Sequence, residues 1–192
     1  MKRWRNVLIM GAGSMLLGGC SLVSTASAPQ SIARNQVPFG LLDKTIPGTN
    51  GGRVSFITQP VYIVDVTGHL APSSRIVPSP PLLVTVLRQL ILGPTEIERA
   101  AGYSSALPEN LVVVSATIKN SVGYIDLASP LSTLPRKQQI LAVGQLVGTA
   151  SDAGALAGIE ITVGGTVQHT LLPSGRRTQL VTVKDFQQLL NG

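Results

Sequence analysis

Residues 80–102 read PPLLVTVLRQLILGPTEIERAAG. Leu82, Leu83, Val86, Leu87, Leu90 and Ile91 recur at helical spacing, while Thr85, Arg88 and Gln89 face the other way. The spacing predicts an amphipathic helix with Ser79 as N-cap and Pro80-Pro81 in the first turn, where proline is tolerated. Gly93 is placed to end it in a left-handed cap, and Pro94 cannot continue it. Thr95 and Glu98, three residues apart, have the spacing of a capping box for a second, short helix. Gly102 closes that turn. The flanking segments are expected to supply the sheet.

They do so as hairpins. Upstream, Val61–Val66 is rich in β-branched residues and reads as the first strand of the sheet. Thr67-Gly68-His69 is a turn, and Leu70–Val77 returns. Downstream, residues 103–110 are a loop, Leu111–Lys119 and Val122–Leu127 form a hairpin across Asn120-Ser121, and residues 129–135 are a loop. Arg136–Ala153 reads as the second long helix, with Ile140, Leu141, Val143, Leu146, Val147 and Ala150 as its apolar face. Gly144 and Gly148, four apart on one side, are expected either to notch the helix for packing or to offer a contact face, since glycine costs about 1 kcal/mol against alanine there. Gly158–Val163, a Gly164-Gly165 turn and Thr166–Leu172 form another hairpin. The polar loop SGRRTQ follows, then Val181–Val183 and a terminal helix over Lys184–Leu190 with Phe186, Leu189 and Leu190 inward. Hairpins alternating with single helices predict an α+β fold, a largely antiparallel or mixed sheet with the two main helices on one face.

The chain has 192 residues, room for one domain plus a tail. Charged residues are 12% and aromatics 4%, so the core must be built from Val, Leu, Ile and Ala. The formal charge of +6 is concentrated at the start. Residues 1–19 carry Lys2, Arg3 and Arg5, then an apolar run from Val7 to Leu17, then small residues. That is the pattern of a secretory signal peptide, too short to span a bilayer. Its removal lowers the net charge by three, from +6 to +3, and the remaining basic residues are too scattered for a nucleic-acid stripe. Cys20, the single cysteine, cannot make an internal disulfide. Leu17-Gly18-Gly19-Cys20 resembles the bacterial lipobox, in which the cysteine is lipidated and heads the mature chain. Residues 20–35 then read as a flexible tether, residues 36–52 as an irregular arm that packs on the domain, and residues 53–192 as the domain with a C-terminal extension.

Taken together, Leu90-Ile91-Leu92-Gly93-Pro94-Thr95, Gly102 with Ser105-Ala106-Leu107-Pro108, Tyr124-Ile125-Asp126-Leu127, Gln145-Leu146-Val147-Gly148-Thr149 and Ile161-Thr162-Val163-Gly164-Gly165 resemble the ordered motifs of the GerMN domain. The similarity covers roughly residues 61–167, and Gln36–Leu42 resembles the arm found before this domain in actinobacterial lipoproteins. Gly148 departs from the pattern, standing where the family often has a larger apolar or aromatic residue. The resemblance implies an envelope domain named for spore germination and sporulation proteins, with a fold akin to ring-building motifs and relatives among membrane lipoproteins linked to a sensor kinase. It implies no catalytic residues. Its motif positions Gly93, Pro94, Thr95, Gly102, Pro108, Asp126, Gln145 and Thr149 are the candidate interaction or motif residues.

Catalytic chemistry finds little purchase. His69 and His169 are the only histidines, and no spacing pairs them as metal ligands. There is no nucleophile elbow, phosphate loop or dinucleotide fingerprint. Asp65, Asp126 and Glu160 lie in or near strands and read as solvated carboxylates, with Asp126 placed to brace its hairpin. The expectation is a cofactor-free, non-enzymatic module, held to the extracytoplasmic face of the membrane by its N-terminal lipid. It would self-associate or dock an envelope protein, through a sheet face or edge. The alternative is a module binding a cell-wall glycan or peptide, against which the scarcity of aromatics argues. A hydrolase would need a nucleophile and base that the sequence does not offer.

Overall fold

The computed structural model describes residues 54–190. The expected signal peptide, Cys20, tether and arm lie outside the described residues. Within them the order is β1 (Phe56–Val64), β2 (Leu70–Pro78), α1 (Leu83–Ile91), α2 (Glu96–Ala100), β3 (Val113–Lys119), β4 (Val122–Leu127), α3 (Arg136–Asp152), β5 (Gly158–Val163), β6 (Thr166–Val167), β7 (Thr170–Leu171), β8 (Arg177–Thr178), β9 (Leu180–Val181) and α4 (Gln187–Leu190). No helix among them is long and apolar enough to cross a membrane.

The fold is α+β, as expected, but its strands are divided differently. Among the described strands β1 and β2 pair only with each other, so the strand expected to open the main sheet forms a separate ribbon. The main sheet runs β3-β4-β5-β6, with β9 also on β5. β4 and β5 are parallel, joined by α3 as a crossover, while the other pairs in this sheet are antiparallel. The expected return over Thr166–Leu172 breaks into β6 and β7, and β7 pairs with β8, which lies in the expected polar loop. Asn120 and Ser121 at φ 50° and 63°, and Gly164 and Gly165 at 56° and 78°, give both hairpins the positive-φ turns that suit the strand twist.

One face of the main sheet is buried: Ala116, Ile125, Leu127, Ile159 and Ile161 alternate inward. α1 and α3 cover this same face. Gly123 lets α1 approach, since a Cβ there would stand 3.4 Å from Leu83 and 3.1 Å from Ala155. α1 begins later than its pattern suggests. Its N-cap is Leu82, without a side-chain cap, because Pro80 precedes another proline and is driven to extended backbone. Its end agrees with the reading: Gly93 sits at φ 73° and donates its N–H to the Leu90 carbonyl at 3.0 Å.

α3 is the larger departure. The six apolar positions predict a single buried face, yet every residue from 141 to 150 is buried. The helix lies between the ribbon and the main sheet and packs on β1, α1 and β5. Gly144 and Gly148 are packing notches. A Cβ on Gly144 would stand 2.5 Å from Leu70, and one on Gly148 would stand 3.0 Å from the Tyr62 ring. Tyr62 fills the space that a larger residue at 148 would take. The terminal segment is a 3-10 turn over Val183–Phe186 followed by α4, with Phe186 fully buried under α3.

Candidate functional site

The motif residues fall into three groups, and each does a different job. Gly93, Pro94, Thr95 and Gly102 shape the α1–α2 corner. Thr95 caps α2 through the expected box, its hydroxyl accepting from the Glu98 N–H at 3.3 Å while the Glu98 carboxylate accepts from the Thr95 N–H at 2.6 Å. Gly102, at φ 88°, donates to Arg99 O and Tyr103 to Glu98 O, which closes α2 as a Schellman turn. What fixes this corner to the domain is a residue the motif reading passed over. Arg75 on β2 makes a two-pronged bond to Glu98, at 3.0 and 2.8 Å, and its Nη2 also donates to the Gly93 carbonyl at 3.2 Å. The Ser73 hydroxyl donates to the same carboxylate. The Arg75 and Glu98 side chains are only 10% and 18% exposed, and the guanidinium draws Glu98 down from 4.5 to about 2. The signal was in the sequence only as the one charged residue of β2.

Gln145 and Thr149 form the second group. Both are fully buried, so neither is open to a partner, and both serve the outer edge of β1. Thr149 Oγ1 accepts from the Tyr62 N–H at 2.9 Å, and Gln145 Nε2 donates to the Tyr62 carbonyl at 2.8 Å. Gln145 Oε1 accepts from the Ala106 N–H at 2.8 Å, which ties in the loop that carries Pro108. Because antiparallel pairs alternate between bonded and unbonded positions, Tyr62 opposite Pro72 is a place where the β1 backbone faces away from β2. Two positions on, Val64 bonds in both directions with Ser104, at 2.9 and 2.7 Å, and two positions back Pro60 has no N–H. Gln59 donates to the last carbonyl of α3, Asp152 O, at 2.8 Å. Burial first, and the Asp152 carboxylate second, push the Tyr62 phenol up from its ordinary value.

Asp126 is the third. It accepts from the Thr162 hydroxyl at 2.6 Å and the Gly165 N–H at 3.1 Å, bracing β4 against the β5–β6 turn, and the Thr162 bond holds its carboxyl below the usual range. Asp65 likewise accepts from the Thr67 hydroxyl, the Thr67 N–H and the His69 N–H, at 2.7 to 2.9 Å, and folds the β1–β2 turn. Among the described residues no three His, Cys, Asp or Glu side chains gather as a metal site.

The surface opposite the helices holds the Asp126–Thr162 bond, since both residues alternate with the inward-facing Ile125 and Ile161. The outer face of the main sheet places Thr117, Tyr124, Glu160 and Leu180 in one row across four strands. Tyr124 is 40% exposed and Leu180 43%, and no helix of the described residues covers them.

The sequence profile described as Germane, Sporulation and spore germination, matches residues 60–169, from the proline of β1 to the residue before β7. The chain belongs to the Germane family. Two solved structures are similar in fold. One holds the tandem GerMN domains of the sporulation protein GerM from Bacillus subtilis, at TM-score 0.52 and 16% identity over 68% of this chain and 48% of that one. The other is the first GerMN domain of the same protein, at TM-score 0.51 and 16% identity over 67% of this chain and 98% of that one. This Germane chain thus spans about half the length of the tandem structure. No curated protein matches it.

Proposed function

We propose that this Germane-family protein is a non-catalytic interaction module of the cell envelope, lipidated at Cys20, held on the extracytoplasmic face of the membrane, and docking another envelope protein through the outer face of its main sheet. The observation that carries the reading is the contrast between the two surfaces of that sheet. Among the described residues, Gln145 and Thr149 on the helical side are fully buried and hydrogen-bonded within the domain, whereas the outer face presents a part-exposed tyrosine and leucine on either side of Glu160 that no described helix covers. An aromatic flanked by polar neighbours is the composition of a contact surface. A partner different from this chain is favoured by charge. In a two-fold pairing of the face with itself, Glu160 would approach its own copy, whereas a basic partner would complement it.

The test is in-cell photo-crosslinking from position 124, with position 97 on α2 as control, alongside fractionation of Cys20→Ala. A discrete adduct from 124 alone, together with release of Cys20→Ala from membranes, is the expected result. Equal crosslinking from both positions would sink the docking face, and continued lipid labelling of Cys20→Ala would sink the anchor.

A further inference from the structure

Two recesses meet where β1 ends and α3 begins. One, of about 320 Å³, lies between Val64, the Ser104–Ala106 loop and Leu141. The other, of about 220 Å³, lies between Gly68, Ile140 and Leu189. Lys137 and Leu141 line both, so the two recesses adjoin along one groove rim, and the larger falls within the range of small-molecule sites, roughly 300–1,000 Å³.

The floor is apolar and the rim is cationic. Arg136 and Lys137 are exposed, no Asp or Glu lines either recess, and neither cation has an ionic partner among the described residues. Both occupy the first turn of α3, where they oppose the helix dipole, and Pro135 supplies no side-chain cap to that turn. An anion here would meet two cations at once.

The hydrogen-bonding capacity of the walls discriminates between ligands. Val64 and Ser104 bond to each other in both directions. The Ala106 N–H is held by Gln145 at 2.8 Å, and its carbonyl accepts from Gln138 at 3.0 Å. A peptide needs backbone partners along its length, and on this wall Val64, Ser104 and Ala106 are already engaged. An alkyl chain needs none. We propose that this groove binds a single-chain anionic amphiphile, with its acid group against Lys137 and Arg136 and its chain over Leu141 and Ile140.

The test titrates the full chain, followed by calorimetry and by amide NMR. The probes are dodecanoate below its micellar concentration, dodecanol, dodecyltrimethylammonium, and phosphatidylglycerol vesicles. Dodecanoate should bind saturably and tighter than either of the other two amphiphiles, shifting amides at Val64, Ser104–Ala106 and Lys137–Leu141. Arg136→Ala with Lys137→Ala should weaken it by about tenfold, the scale expected for two partly solvated charge contacts, and leave dodecanol unchanged. Ile140→Gln, at a half-buried position, should weaken dodecanoate and dodecanol together. Equal binding of dodecanoate and dodecanol, shifts that map elsewhere, or no binding would each overturn the proposal. So would sedimentation with vesicles through the same two cations in the absence of dodecanoate binding, which would make the groove's rim a bilayer contact.

Discussion

At the scale of single residues, the polar groups of this domain are where its specificity is written. Gln145 holds two backbone groups that are 83 and 39 positions away from it along the chain. Gln145→Ala would leave the Ala106 N–H and the Tyr62 carbonyl without their partner, and is expected to cost about 2–6 kcal/mol in urea unfolding, because each orphaned buried group costs roughly 1–3 kcal/mol. Glu98 makes a prediction about acid. Its folded value, about 2, lies below the ordinary 4.5. A carboxylate depressed in this way contributes stability that is fully present above pH 4.5 and is lost as pH falls toward 2. Glu98→Gln should therefore be less stable than the parent at pH 7, and the gap between the two should close by pH 2 in parallel denaturant series. The caps at Gly93, Thr95 and Gly102 were legible in the sequence because a cap is a local event, settled within one turn. Arg75 and Gln145 were not legible in their roles. Their partners are set by the fold, and no spacing rule connects position 75 to 98 or 145 to 62.

At the scale of elements, α3 teaches the most. Its apolar positions, from Ile140 to Ala150, gave the helix its place in the sequence, but Gln145, Gly148 and Thr149 between them look like the residues of a solvated face. They are buried because β1 crosses that side of the helix and needs two hydrogen-bonding partners and a gap for the Tyr62 ring. Gly144→Ala tests the closeness of this packing. The added methyl would meet Leu70 at 2.5 Å and Phe186 at 3.0 Å, and overpacking of that kind typically costs about 1–3 kcal/mol. Thermal unfolding of the variant measures it, and a melting temperature equal to the parent's would mean that Leu70 and Phe186 move aside freely. The parallel pairing of β4 with β5 was also invisible beforehand. Both strands alternate as half-buried strands do, and alternation carries no information about direction; only the crossover through α3 supplies it.

At the scale of the whole molecule, the helical side and the outer side of the main sheet call for different experiments. Leu180→Lys, on the same face, should leave stability within about 0.5 kcal/mol, as surface changes away from structural features usually do, while abolishing the partner's crosslink from position 124. Light scattering of the full, unlipidated chain should give the mass of one copy over a broad concentration range. A stable dimer that Leu180→Lys dissolves would make the partner a second copy of this chain and correct the charge argument built on Glu160. The α+β class and the two helices on one face were readable from the order of periodic segments. The separate ribbon was not, since Val61–Val66 has the composition of a strand in any sheet.

The outer edge of β1 carries one more consequence. Val61-Tyr62-Ile63-Val64 is the kind of apolar, uncharged, β-prone run that recruits other chains when a strand edge lies open. Here β2 holds one edge. The other is closed by the missing donor of Pro60, the side chains of α3 and the Ser104 backbone. The bonds that join the ribbon to α3 and to the Ser104 loop therefore also keep this run from templating fibrils.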